Sequence, residues 1–254
     1  DDRRRLCCSI RSRVSMNDVR FTILKGENDM TTSTDTCRTE TSSNKRPLQV
    51  LLLNGSTRKN GCTYTALCEV AEALNQDGVQ TEIFQMGGQG VHDCIACGRC
   101  EQLGHCVFDD DIVNQCLAHA QMADGFVFGS PVYYAHPTGQ ILAVLDRMFY
   151  AGKRYFMQKP GAAVVSARRA GTTASLDVLH KYFADAQMPV VSSTYWNMVH
   201  GKTPDEVRKD LEGMQTMRNL GYHLAWLLKC IRIAKEQGIH PPTAPYDQWT
   251  NFIR

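Results

Sequence analysis

Short apolar runs alternate with amphipathic segments from residue 48 onward. Leu48 to Leu53 is apolar except for Gln49 and is followed by Asn54-Gly55-Ser56, a pattern typical of a strand buried on both faces. In the next segment, 63–75, apolar residues recur at helical spacing until Asp77-Gly78 interrupts the pattern. The first unit of the chain is therefore predicted to be a strand followed by a helix.

The same order recurs along the rest of the chain. We expect further strands over 79–84, 124–129, 160–166 and 189–192, and further helices over 109–122, 138–150, 172–187 and 203–237. Five strands separated by helices predict an α/β fold with a doubly wound, five-stranded parallel sheet and helices on both faces. In such sheets the ligand binds outside the carboxyl ends of the strands, where the strand order reverses.

The first 46 residues differ from the rest of the chain. They contain Arg3-Arg4-Arg5 and a polar tract over 29–46 with almost no apolar periodicity, and they lack the apolar core of a signal peptide. We expect a disordered N-terminal segment over 1–46, one folded domain over 47–240 and a C-terminal tail over 241–254.

Composition and charge narrow the possible partners. The chain has 254 residues, of which 43% are hydrophobic, enough for one sizeable core. Its 28 basic and 26 acidic side chains nearly balance, so there is no electrostatic reason to expect nucleic acid or an anionic membrane as a partner. No apolar stretch approaches the roughly 20 residues that span a bilayer. The 11 cysteines are not spaced like a secreted disulfide framework, which predicts a reducing, cytoplasmic compartment.

The loop after the first strand, 54–63, is rich in glycine and hydroxyl groups and carries Arg58-Lys59. Backbone N–H groups at the start of a helix bind anions, so a phosphate is the expected ligand. The loop has neither a GxGxxG pattern nor a Walker pattern. An ordinary glycine-containing turn with a solvated Arg58 and Lys59 is the alternative.

A run of four cysteines, Cys94, Cys97, Cys100 and Cys106, lies in the loop after the second strand. Four closely spaced thiolates form the ligand set of a [4Fe–4S] cluster, whereas structural zinc usually takes two separated CxxC pairs. Free thiols, or a disulfide between two of these cysteines, are the alternatives. His92 and His105 are interpreted as polar loop residues.

Three segments resemble one known family. Residues 55–63 resemble the phosphate loop of the flavodoxin-like NAD(P)H-dependent FMN reductases. Residues 130–147 are similar to the same family in their Ser-Pro-Val-Tyr turn and in Asp146-Arg147, and the cysteine spacing is similar to that of its iron–sulfur flavoprotein branch. The resemblance covers about 48–191 and implies a flavodoxin-like fold that binds FMN.

The resemblance also implies site residues. It implies FMN phosphate contacts at Ser56, Arg58, Asn60, Cys62 and Thr63, flavin contacts at Pro131, Val132, Tyr133 and Tyr134, and [4Fe–4S] ligation by Cys94, Cys97, Cys100 and Cys106. Cys62 stands where Asn or Ser is more usual, so its contribution is reduced to a backbone N–H. By position we add Ala167 and Arg168, because Arg168 or Arg169 could stabilise the reduced ring, bind a nicotinamide phosphate or be solvated. Asp146 and Arg147 are expected to be structural, in helix packing or a subunit contact.

The implied activity is electron transfer from NAD(P)H, or from ferredoxin, through bound FMN to a small acceptor such as a quinone or flavin. No catalytic acid, base or nucleophile is assigned. A homodimer or homotetramer is expected, with Tyr150, Phe156, Tyr195 and Trp196 as interface candidates. Three alternatives stay open: a flavodoxin-like or iron–sulfur electron carrier without nicotinamide turnover, a redox-sensing or metal-binding protein centred on the cysteines, and a nucleotide-binding domain without flavin.

Overall fold

The computed structural model describes residues 46–243 together with 245, 247, 248 and 250, so the predicted N-terminal segment lies outside the described residues except for Arg46. The strands are β1 (Gln49–Asn54), β2 (Gln80–Gln85), β3 (Gly125–Tyr133), β4 (His136–Pro137), β5 (Gly161–Ala167) and β6 (Met198–His200). The helices are α1 (Cys62–Gln76), α2 (Cys100–Leu103), α3 (Val113–Met122), α4 (Gly139–Gly152), α5 (Thr172–Asp185), α6 (Pro204–Lys209) and α7 (Leu211–Glu236).

Five of the described strands form a parallel sheet in the order β2-β1-β3-β5-β6. The two-residue β4 is a sixth strand that pairs antiparallel with β3. The strand order reverses between β1 and β3, so this is the switch point at which such sheets bind ligands. The predicted doubly wound parallel sheet is confirmed.

Alternate residues of each central strand enter two separate cores. In β1, Val50 and Leu52 join the core beneath α1 and α7, whereas Leu51 and Leu53 join the core beneath α3, α4 and α5. All four side chains are almost completely buried. A strand covered on both faces must be apolar at every position, which is the pattern in the sequence. The prediction of helices on both faces is therefore confirmed.

The strand predicted over 189–192 is reduced to a single parallel bridge. Only Val190 forms a bridge there, to Gly161, and the fifth parallel strand is β6. Pro189 has no N–H to donate to a strand ladder, and Val190 is exposed. Val199 of β6 is instead fully buried against the helices, so its segment takes the place beside β5.

Two predicted helices have different bounds. The helix predicted from residue 109 begins at Val113, because the Asp111 carboxylate accepts a hydrogen bond from the Val113 N–H at 3.1 Å and holds the preceding residues in a loop. The helix predicted over 203–237 is divided at Asp210, which accepts from the Gly213 N–H at 3.0 Å and so caps the start of α7. In the described part of the chain, no helix has the length and apolar character needed to cross a membrane.

Candidate functional site

The loop between β1 and α1 is held in shape by the ends of two neighbouring strands. Asn54 accepts from the Ser56 N–H at 3.2 Å and donates to the Gln85 side chain at 2.6 Å. Gln85 in turn donates to the Ser56 carbonyl at 2.7 Å. Sequence analysis missed Gln85, although its place at the end of β2, in register with Asn54, is the signal that could have found it.

The same loop leaves a set of hydrogen-bond donors facing outward. Residues 57–60 are exposed, including Arg58 and Asn60, and the Ser56 hydroxyl accepts from the Arg58 N–H at 3.2 Å. Gly61 is the residue before α1. Because glycine has no side chain, this residue does not cap the first N–H groups of the helix. Uncapped amides at the positive end of a helix dipole, with a guanidinium beside them, fit a phosphate.

Thr63 and Cys62 turn their side chains away from this surface. The Thr63 and Ser166 hydroxyls share a buried hydrogen bond of 2.8 Å, which joins α1 to the end of β5. The half-buried Cys62 thiol donates to the Gly201 carbonyl at 3.6 Å, and burial raises its pKa. Both residues would therefore contact a phosphate through their backbone N–H groups, and their predicted roles stay predictions.

The segment after β3 turns back as a tight hairpin. Tyr134 and Ala135 have φ values of 49° and 63°, the left-handed conformation that two-residue hairpins require and that glycine usually supplies. This turn leaves Tyr133 half exposed and Tyr134 fully exposed. Aromatic side chains at a strand end suit a flat ring system.

Hydrogen bonds join this hairpin to the first loop. The Ser130 hydroxyl accepts from the Thr138 N–H at 3.0 Å, and the Thr138 hydroxyl donates to the Gly55 carbonyl at 3.2 Å. Thr138 also caps α4 by accepting from the Ile141 N–H at 3.2 Å. Thr138 is a further residue that sequence analysis missed.

The loop after β5 completes this edge of the sheet. Ala167 is buried and accepts from the Gly201 N–H at 3.0 Å, whereas Arg168 is exposed. A Cβ at Gly171 would lie 2.6 Å from the Cα of Ala135, so this loop and the hairpin after β3 are in direct contact. The structure thus brings the three loops with predicted cofactor residues together, as expected for the carboxyl edge of a parallel sheet.

The four predicted metal ligands lie in the segment 86–112, which includes α2, and they line one cavity of about 130 Å³. Phe108, Arg147 and Tyr150 line the same cavity. Cys106 is buried at its inner end, Cys94 and Cys100 are half-buried, and Cys97 is exposed. The cavity therefore opens to solvent near Cys97.

The chemistry of the four thiols fits a metal cluster. Burial raises the pKa of Cys100, and the nearby Cys106, Cys97 and Cys94 raise it further, as expected where thiolates crowd together. No described cysteine forms a disulfide. Four thiolates are the ligand set of a [4Fe–4S] cluster, and all four of these cysteines line one cavity, so the residues present fit this group.

The expectation for Asp146 and Arg147 holds in part. Asp146 accepts from the Tyr182 hydroxyl at 2.5 Å and so packs α4 against α5. Arg147 points instead into the cysteine cavity, where its Nε donates to the Cys106 Sγ at 3.0 Å. Sequence analysis missed this contact, because nothing in the sequence links residue 147 to residue 106.

The aromatic residues proposed for an interface divide into two kinds. Tyr150, Tyr195 and Trp196 are exposed. Phe156 is fully buried and stacks on Phe149, with ring centroids 4.3 Å apart, so its assignment to an exposed surface is wrong.

The strand order and the loops at its carboxyl edge define a flavodoxin-like protein. A solved structure of a flavodoxin, a WrbA-like protein from Agrobacterium tumefaciens, has this fold: its TM-score is 0.52 at 15% identity, over 73% of this chain and 99% of that chain. Residues 48–203 match the NADPH-dependent FMN reductase family, and the chain belongs to this family.

Two relatives agree with the iron–sulfur branch. An iron-sulfur flavoprotein of Methanocaldococcus jannaschii is 30% identical over 193 residues, which cover 73% of this chain and 100% of that protein. An iron-sulfur flavoprotein of Methanosarcina thermophila is 26% identical over 189 residues, covering 73% and 97%. The predicted resemblance to this family and branch is confirmed.

Proposed function

We propose that this chain is an iron–sulfur flavoprotein that passes electrons from a reduced nicotinamide or a ferredoxin-type donor, by way of FMN, to a small acceptor such as a quinone or a free flavin. Membership of its family makes it an FMN-dependent oxidoreductase, while the donor, the acceptor and the cluster belong to the proposal. One observation carries it: an anion-binding loop edge and a four-cysteine cavity occur in the same domain.

The loops at the carboxyl edge would hold FMN. Ser56, Arg58 and Asn60, with the first N–H groups of α1, would bind the phosphate. Pro131 to Tyr134 would line the ring and the ribityl chain, with Ala167 and Arg168 on the opposite side. Bound FMN supplies a group that accepts a hydride from reduced nicotinamide and releases its electrons one or two at a time.

Cys94, Cys97, Cys100 and Cys106 would hold a [4Fe–4S] cluster, which exchanges single electrons. The cysteine loop is joined to the flavin edge through α4, since the Gln140 side chain donates to the Gln89 carbonyl at 3.0 Å. The exposed Cys97 marks the side of the cavity at which a one-electron donor would dock.

Direct turnover of NAD(P)H is favoured by a separate observation. Arg168 and Arg169 are both exposed on the loop after β5. Two guanidinium groups beside the predicted flavin site could bind the phosphates of a nicotinamide nucleotide. The chain would then accept electrons as a hydride as well as singly.

The first experiment is anaerobic purification of the full chain, followed by visible spectroscopy and by iron and sulfide analysis. We expect bound FMN with roughly four irons per chain. Cys97→Ser should lose iron and keep FMN, while Cys230→Ser, which changes an exposed cysteine of α7, should keep both. Wild-type protein with flavin and no iron would refute the cluster, and protein that binds no FMN would refute the whole proposal.

The second experiment identifies the donor. Oxidised protein is mixed without oxygen with NADPH, NADH or reduced ferredoxin, and bleaching of the flavin absorbance is followed. Arg168→Gln should raise the apparent KM for NAD(P)H, whereas Arg46→Gln should not, because Arg46 pairs with Asp124 at the amino edge of the sheet. Reduction by ferredoxin alone would leave an electron carrier without nicotinamide turnover.

A further inference from the structure

We propose that Arg147 is a positioning residue that sets the reduction potential of the four-cysteine centre through its hydrogen bond to the Cys106 sulfur. The inference rests on the proposed function, because it requires a cluster bound to these cysteines. It assigns a redox role to a side chain outside the ligand set.

Arg147 approaches the innermost ligand from the protein side. Its side chain is 1% exposed, and its Nε lies 3.0 Å from the Cys106 Sγ. Cys106 is the only one of the four cysteines that is buried. A donor in such a dry position interacts with a thiolate more strongly than it would in water.

The remaining contacts fix the direction in which this guanidinium points. Its Nη1 forms an ion pair with Asp111 and donates to the His92 carbonyl at 3.1 Å. Its Nη2 donates to the Phe108 carbonyl at 3.3 Å, and the group lies 5.2 Å from the centre of the Phe108 ring. Because the two Nη atoms and the face of the guanidinium are held by these contacts, the Nε–H group stays directed at the Cys106 sulfur.

Asp111 is itself fixed and buried. Its side chain is 3% exposed, and it accepts from the Val113 N–H at 3.1 Å and from the His92 N–H at 3.2 Å. The carboxylate offsets the positive charge of Arg147, so the pair is nearly neutral when viewed from a distance. The sulfur nevertheless meets the N–H of the arginine first.

The sign of the effect on the potential follows from the charges. Reduction of a [4Fe–4S] cluster adds one electron, and part of the added negative charge resides on the thiolates. An N–H donor at Cys106 stabilises the reduced form more than the oxidised form and therefore raises the potential. Loss of Arg147 should lower the potential, and loss of the Asp111 charge should raise it.

The test compares Arg147→Met, Asp111→Asn and the double variant in the full chain. Methionine keeps an unbranched apolar stem in place of the first part of the arginine side chain, but it is shorter and cannot donate a hydrogen bond. Iron and FMN contents are measured first, and the potential of the cluster is then titrated with electron paramagnetic resonance as the signal. In Arg147→Met we expect the ratio of reduced to oxidised cluster at a fixed potential to fall about tenfold, which is about 59 mV for one electron. Asp111→Asn should shift the potential the other way, and the double variant should lie between.

Each outcome decides the matter. An unchanged potential in Arg147→Met with full iron would overturn the inference and leave the arginine a packing role only. If Arg147→Met loses its iron, Asp111→Asn decides: a raised potential supports the inference, and an unchanged one overturns it. Wild-type protein without iron would show that the proposed cluster itself is wrong, and the inference would fall with it.

Discussion

The buried hydrogen bond between Thr63 and Ser166 offers a test of how the loop after β1 is fixed to the sheet. Both hydroxyls are almost completely buried, and they lie 2.8 Å apart. Thr63→Val and Ser166→Ala each remove one partner and leave the other without its hydrogen bond. The double variant removes both polar groups together.

The magnitudes follow from burial. A buried hydroxyl that loses its partner costs about 1–3 kcal/mol, whereas replacing both partners by apolar groups of similar shape is nearly neutral. Each single variant should therefore lose about 1–3 kcal/mol of unfolding free energy. The double variant should lose clearly less than the sum of the two single losses, and the difference measures the coupling energy between the two hydroxyls.

The assay is urea unfolding of the four proteins without FMN, so that the ligand does not contribute. Ser175→Ala is the matched control. It should lose less than about 1 kcal/mol, because the Gly171 carbonyl, to which the Ser175 hydroxyl donates, also accepts from the Ser175 N–H at 3.1 Å. Losses that simply add in the double variant would show that the two hydroxyls act independently, and the reasoning would be wrong.

Three further predictions test other parts of the molecule. Gly171→Ala should weaken FMN binding in a fluorescence titration, because the added Cβ would lie 2.6 Å from the Ala135 Cα. Gly78→Ala is the control: Gly78 also has a positive φ, but no atom lies within 4 Å of the added Cβ, so this variant should lose stability without affecting FMN binding. Burial lowers the pKa of His180 below 6.5, so its protonation favours the unfolded state. Stability should fall as the pH drops below about 6.5, and His180→Phe should reduce this loss in urea unfolding at pH 7.5 and 5.5. Phe156→Ala should cost about 3–5 kcal/mol of unfolding free energy, and a cost near zero would contradict its burial.

Helices and strands whose buried side chains recur at a regular spacing could be predicted from the sequence. The apolar run 48–53 is predicted as a strand because each of its residues except Gln49 is buried on one face or the other. Glycine-rich turns and capping residues marked the loops after β1 and before α6. The close cysteine spacing likewise predicted residues that line one cavity.

The features that sequence analysis missed depend on contacts between distant segments. β6 is three residues long, and its place beside β5 is decided by the burial of Val199 rather than by a periodic pattern. The break at Asp210 depends on a carboxylate that caps α7 and also accepts from the His200 N–H. Arg147 reads as an ordinary helical arginine until the fold brings Cys106 and Asp111 against it.

Helix α4 connects the two proposed redox sites and fixes the distance between them. Its cap, Thr138, contacts Gly55 in the loop after β1, and Arg147 contacts the buried Cys106. At 1.5 Å per residue these two positions lie about 14 Å apart along the axis, and no proline or glycine lies between Gly139 and Gly152 to bend the helix. One continuous helix thus fixes how far the loop after β1 lies from the cysteine cavity, and this span would set the distance between the two proposed cofactors.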